Sequence, residues 1–223
     1  MPVTNLVWLT SASDAFTPQN KAAMESAFDA QADWVARNVP SAPKDREARG
    51  VALFQQVEDP RVVMETAHWS STDEHLTWLA SEEYKSSSAP LAAHFDFTKL
   101  EYFHLDTDLL RPVDAAAGEE SLLRSPVISI GRVQLPADKK GDFTQSWDSL
   151  KTILEDFAKP KVVRYGFRVQ KSDPDTDEFL IFTGWPSVEK HGEFPQSPSF
   201  AEYANPIQAI AKSMEVKHYT RIL

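Results

Sequence analysis

Shifted against itself by 116 positions, the chain matches Gly50 with Gly166, Asp59 with Asp175, Trp69 with Trp185, Ser71 with Ser187, His75 with His191, Ser81 with Ser197, Pro90 with Pro206 and Ala93 with Ala209, without a gap. Tyr84 with Phe200 and Leu91 with Ile207 keep the character of the residue. Tryptophan, histidine and proline are uncommon, so their recurrence in one order at one spacing points to two copies of one unit. An internal repeat limits the possible folds more than any short motif does. Between the copies, "DTDLLRPVDAAAGEESLLRS" mixes proline, glycine, acidic and small residues with no steady period, as a connector would. The expected division is a first unit over 1–105, a linker over 106–125 and a second unit over 126–223.

Each copy carries the same run of elements. "VTNLVWLT" and "PVISIGRVQL" are rich in strand-forming residues. Thr17-Pro18 opens a helix with Met24, Ala27, Phe28 and Val35 at helical spacing, and Asp142-x-x-Gln145, which resembles a capping box, precedes Trp147, Leu150, Leu154 and Phe157. "GVALFQQV" and "RVVMETAHW" flank the turn Glu58-Asp59-Pro60, while "VVRYGFRVQ" and "EFLIFTGW" flank "KSDPDTD", so each pair reads as a hairpin. A helical segment follows each repeated tryptophan, and "KLEYFHL" or "EVKHYTRI" supplies a last strand. The order is β-α-β-β-α-β twice, the ferredoxin-like unit. One such unit leaves a sheet face bare, and two could bury those faces together. The expected class is therefore α+β, two ferredoxin-like units in one chain forming a pseudo-dimeric α+β barrel.

Composition removes several functions. The net charge of −10 opposes the phosphate backbone, and Lys and Arg form no basic run, which argues against nucleic acid. With no cysteine there is no thiol nucleophile, thiolate metal site or disulfide. The start "MPVTNLVWLT" lacks the pattern of a signal peptide and no apolar run has the ~20 residues of a membrane span, so a cytoplasmic protein that does not engage a membrane is expected. The six histidines show no H-E-x-x-H spacing, no Gly-rich phosphate loop occurs, and there is no G-x-S-x-G elbow. No metal and no cofactor are expected.

Several side chains are candidates for a site. Trp69 and Trp185 end the third strand of each unit, where an aromatic commonly plugs the core. Ser71 and Ser187 are natural N-caps, so His75 and His191, four residues later, fall at the end of the first helical turn, placed to bond a backbone group, meet solvent or act chemically. Alternation puts Tyr102 and His104 on one face of the first unit's last strand and His218 on the corresponding strand of the second; at the repeat offset Tyr102 aligns with His218. A Tyr and a His two apart on a pocket-facing strand could move protons on a phenolic or β-keto substrate. Arg164 and Arg168 share a strand face and could hold a carboxylate, or could simply face solvent.

The strand-ending Trp69 and Trp185, the polar caps Ser71 to Glu74 and Ser187 to Glu189, Ser81 and Ser197, and the broken second helix running into a final strand resemble the dimeric α+β barrel superfamily, in particular its antibiotic-biosynthesis-monooxygenase-like and stress-responsive barrel domains. Many monooxygenase-like members carry a histidine roughly where this chain has Trp78 and Phe194, whereas its own His75 and His191 lie three residues earlier. The resemblance implies an enzyme of small aromatic or polyketide-like metabolism working without a cofactor, either a cyclase moving protons or a monooxygenase. It leaves open a non-catalytic ligand-binding or stress-related barrel and a haem-binding one. The expected catalytic residues are His75, Tyr102 and His104; the expected binding residues are Trp69, Trp78, Trp185, His191, His218 and Arg168. The expected partner is a small molecule, and the expected assembly a monomeric pseudo-dimer or a homodimer, with one of the two pockets active and the other degenerate.

Overall fold

The computed structural model describes residues 1–110 and 118–223. The chain divides into two compact units, the first also taking in the C-terminal Arg221–Leu223 and the second ending at Thr220.

In the first unit β1 (Val3–Thr10) leads to α1 (Pro18–Asn38), β2 (Ala52–Gln56) and β3 (Val62–Trp69). The second helical region is split into α2 (Thr72–Ala80) and α3 (Glu82–Ser88) before β4 (Glu101–Leu105). β1 pairs antiparallel with both β3 and β4, and β2 pairs antiparallel with β3, giving the order β4-β1-β3-β2 of a ferredoxin-like sheet. Helix α1 begins where the sequence suggests: the Thr17 hydroxyl accepts from the Asn20 amide, the Asn20 side chain reciprocates to the Thr17 N–H at 3.0 Å, and Pro18 occupies the first turn. Its buried face carries Met24, Phe28, Trp34 and Val35, which pack with Leu9, Leu53, Val63 and Ala67 of the sheet. Ile222 and Leu223 bond to Leu53, so the end of the chain completes this unit's core.

The second unit repeats the plan with β5 (Val127–Pro136), α4 (Lys140–Ala158), β6 (Val163–Phe167), β7 (Thr176–Trp185), α5 (Val188–Glu193), α6 (Phe200–Ile210) and β8 (Ser213–Arg221). β5 lies between β7 and β8, and β6 pairs with β7, all antiparallel. Phe143, Trp147, Leu150 and Leu154 of α4 cover the sheet, with Tyr203 and Ile207 of α6 beside them. The start of α4 differs from expectation. Asp142 does not cap it, because a 3-10 turn over Ala137–Lys139 runs straight into the helix and places Asp142 already in the first turn, where it pairs with Lys139 at 3.1 Å.

The expected linker is only partly a free connector. Its first residues are tied to the first unit, with Thr4 Oγ1 donating to the Thr107 carbonyl and accepting from Leu109 N–H, and with Leu109 buried. Its last residues form a 3-10 turn over Leu122–Arg124 that buries Leu122 and Leu123. Apolar leucines at both ends explain the anchoring, and residues 111–117, its middle, lie outside the described residues. At Gly184 the backbone comes so close to its neighbours that a Cβ would run into Ser125 Oγ and stand 3.1 Å from Lys161 Cβ. Among the described residues no helix is long and apolar enough to cross a membrane.

Candidate functional site

Each unit builds the same aromatic and imidazole constellation at the joint between its third strand and its second helix. Ser71 accepts from the Glu74 amide at 3.2 Å and starts α2, so His75 leaves the first turn and folds back over the end of β3. Its ring stacks on Trp69, with centroids 4.7 Å apart and planes 22° apart. Trp69 is pinned in turn, its Nε1–H donating to Asn5 Oδ1 at 3.0 Å in a buried contact. His75 Nδ1 then meets Nε2 of His104, from β4, at 2.7 Å. In the second unit Ser187 caps α5, His191 stacks on Trp185 at 4.7 Å and 17°, Trp185 Nε1–H donates to Ser129 Oγ at 2.8 Å, and His191 Nδ1 meets His218 Nε2 at 2.8 Å. The two histidines at the helix starts therefore bond no backbone group through the ring, and His75 is buried while His191 is partly so. Each is one half of an imidazole pair.

That pairing corrects one expectation about the last strands. Asn5 stands opposite His104 and Ser129 stands opposite His218 in the sheet register, and these two partners anchor the equivalent tryptophans. His104 and His218 are thus equivalent although they are 114 positions apart, two fewer than the repeat offset. The path from the second helical region into the last strand is shorter in the second copy, so Tyr102 corresponds to Val216 and not to His218. Tyr102 is a feature of the first unit alone.

In the first unit a cavity of about 190 Å³ opens beneath α1, α2 and α3, with His75, Trp78, Tyr84, Leu100 and Tyr102 in its wall and Asn5 and Glu65 on its floor. His104 stands behind His75, outside the lining, and Trp69 likewise supports from behind. Burial, followed by the neighbouring His104, pushes His75 down to about 3, so the ring is neutral near pH 7. One hydrogen lies between the facing nitrogens. If His75 donates, its Nε2 is a lone pair; if His104 donates, His75 Nε2 carries a hydrogen.

The residue that sequence reasoning missed is Glu65. It lies on β3 with Val63, Ala67 and Trp69 on the core-facing side of the strand, and it makes no hydrogen bond or ion pair among the described residues. The surface it retains faces the cavity. Desolvation alone pushes its carboxyl up to about 7. Tyr84 nearby is also pushed up, first by burial and then by Glu65 and Tyr102, and so keeps its proton. A signal for Glu65 was present: strand parity groups it with three apolar core residues, and its repeat partner is Ile181, apolar like them.

In the second unit a cavity of about 380 Å³ is lined by Trp185, His191, His218 and Tyr203 among mainly apolar side chains, with Ile181 where the first unit has Glu65. Burial and then His218 push His191 down to about 4. Arg168 lies outside both linings. It is one of three residues in a largely buried ion-pair group, bonding Glu178 at 3.1 Å while Arg132 holds the same carboxylate at 2.6 Å, and Arg164 approaches Glu119 at 3.8 Å. Neither Arg164 nor Arg168 is solvent-facing, because carboxylates of the protein itself engage both. Among the described residues no cluster of three or more His, Asp or Glu is placed to hold a metal ion.

No family model and no curated protein sequence matches the chain. Solved structures do. A candidate monooxygenase from Fusobacterium nucleatum superposes with a TM-score of 0.62 at 10% identity, over 100% of this chain and 93% of its own. An anthrone oxidase-like protein gives 0.60 at 12% identity, over 100% and 92%. A candidate monooxygenase from Lactobacillus acidophilus gives 0.58 at 13%, over 99% and 93%. These likenesses show that the chain shares the fold of these structures. The chain carries it as two ferredoxin-like units in tandem.

Proposed function

We propose that the cavity of the first unit transfers protons on a small, largely apolar carbonyl compound of aromatic or polyketide-like type, with no cofactor taking part. The observation that carries this is Glu65, an unpartnered carboxyl that titrates near 7 on the floor of an apolar cavity. A base whose pKa lies near the working pH combines a large ionised fraction with useful basicity, and general acid–base groups of this kind contribute ~10² to 10⁴ in rate. Glu65 takes a proton from a C–H or O–H beside the substrate carbonyl, leaving the electron pair as an enolate or phenolate. The Tyr84 and Tyr102 hydroxyls and His75 Nε2, when protonated, supply donors for the oxygen that gains charge. His104 is a positioning residue, since its contact is with His75 Nδ1. In a ring closure the enolate carbon attacks a second carbonyl of the same molecule and the resulting alkoxide recovers the proton. In a cofactor-free oxygenation the same carbanion would meet dioxygen. The deprotonation is common to both.

Cavity size favours a substrate of one to three fused rings, since an engineered apolar cavity of ~150 Å³ accepts benzene. Haem fits the two linings poorly. Among the described residues neither contains a Lys or Arg to meet its propionates, and unpaired carboxylates would be costly to bury.

The test is proton exchange with solvent. Anthrone, 1-indanone and a phenyl β-diketone are incubated with the protein in D₂O, and loss of the acidic C–H signal is followed by NMR, alongside oxygen uptake. Catalysed exchange that falls ~10²-fold or more in Glu65→Gln, with the fold intact by circular dichroism, is the expected result. Equal exchange in the variant and the parent would remove Glu65 from the reaction, and no exchange with any of the three would favour a ligand-binding barrel.

A further inference from the structure

We infer that the cavity of the second unit is a separate binding site for an uncharged aromatic ketone, held without being transformed. Binding stands on different residues from the proton-transfer reading of the first unit; only the lack of transformation rests on that reading.

Three observations carry it. The first is volume: about 380 Å³ against about 190 Å³ in the first unit, room for two or three fused rings with a substituent. The second is charge. Among the described residues no Asp, Glu, Lys or Arg lines the cavity, and Ile181 occupies the place of Glu65. A charged ligand would lose its water and gain no counterion, so the site selects neutral molecules. The lack of a carboxylate also removes the base on which the proposed chemistry of the other cavity depends.

The third is Tyr203. It is 7% exposed, lies on α6 in the cavity wall, and takes no hydrogen-bond partner among the described residues. Burial pushes its phenol up, so it remains a donor across the physiological range. Its hydroxyl is not sealed away from solvent, and a carbonyl oxygen entering the cavity would accept from it in place of water. Phe194 and Phe200, which pack on Tyr203 with ring centroids 5.1 and 6.4 Å away, provide the flat apolar walls that an aromatic ring needs.

The experiment is calorimetric titration of the full chain with 2-acetylnaphthalene, naphthalene and 2-naphthoate, repeated on Tyr203→Phe. The ketone should bind saturably, naphthalene about fivefold to tenfold more weakly, which is the worth of one neutral hydrogen bond, and naphthoate not measurably. Tyr203→Phe should weaken the ketone by the same factor and leave naphthalene unchanged. Because Tyr203 is a core residue, location is also read in the parent protein, where intermolecular NOEs from the ligand ring to the methyl groups of Val133 and Met214 are expected. Failure of the ketone to bind, tight binding of naphthoate, an unchanged ketone affinity in Tyr203→Phe, or NOEs confined to first-unit methyls would each overturn the proposal.

Discussion

Replacing Glu65 by Gln should make the protein more stable, and by an amount that depends on pH in a specified way. Burial raises the carboxyl from 4.5 to about 7 in the folded chain, a gap of about 2.5 units worth ~1.4 kcal/mol each, or about 3 kcal/mol. Below pH 4.5 the group is protonated whether the chain is folded or not, and it contributes no pH dependence. Between 4.5 and 7 the unfolded chain has released its proton and the folded chain has not, so the unfolded state binds fewer protons and stability falls as pH rises. Above 7 the full loss is in place. Glutamine has nearly the same shape and does not ionise, so Glu65→Gln should match the parent near pH 4.5 and exceed it by about 3 kcal/mol at pH 8. Urea denaturation of both proteins at pH 4.5, 6 and 8 measures this, and other titrating groups cancel in the difference. A difference that stays constant from pH 4.5 to 8 would refute the desolvated carboxylate and, with it, the base assigned to the cavity.

Three further outcomes are expected. Trp69→Phe should cost about 1–3 kcal/mol in the same assay, because it leaves Asn5 Oδ1, in a residue 1% exposed, without its donor; an effect below about 0.5 kcal/mol would mean that the bond carries no weight. Gly184→Ala should destabilise by about 1–3 kcal/mol or more, since the new Cβ meets Ser125 and Lys161, and thermal unfolding of the variant would report it. His75 and His191, pushed down to about 3 and 4, should keep the ring NMR shifts of neutral imidazole from pH 8 to pH 5. Their depressed values also mean that stability is lost as pH falls below the ~6.5 of the unfolded histidine, and midpoints near 6.5 in the folded protein would contradict the paired, buried geometry.

Much of the fold could be read from residue patterns because the chain states it twice. The β-branched and aromatic runs, the Thr17-Pro18 start and the acidic hairpin turns each obey a local rule, and local rules survive folding when the core agrees with them. The repeated tryptophans and histidines were visible for the same reason. Three features were not. The two-residue slip that makes His104 equivalent to His218 lies in the connection before the last strand, where nothing in the sequence marks the register; only strand pairing with Asn5 and Ser129 reveals it. The imidazole pairs join residues 29 and 27 positions apart, beyond any local periodicity. Glu65 was hidden by habit, since a carboxylate in a strand is normally assigned to the solvent side and only its parity with Val63, Ala67 and Trp69 places it inside. Arg168 failed in the opposite sense. An arginine on a strand invites a ligand, yet Glu178, ten residues on, already engages it.

The contrast between Glu65 and Ile181 has a genetic consequence. In an assembly of two identical chains every codon is expressed in both halves, so a buried carboxylate would be installed twice and its destabilisation of about 3 kcal/mol incurred twice. Joining two copies in one reading frame breaks that identity. One half can keep a residue that weakens the fold but serves a reaction, while the other drifts toward an apolar side chain that restores stability, and a mutation in either pocket is inherited by that pocket alone.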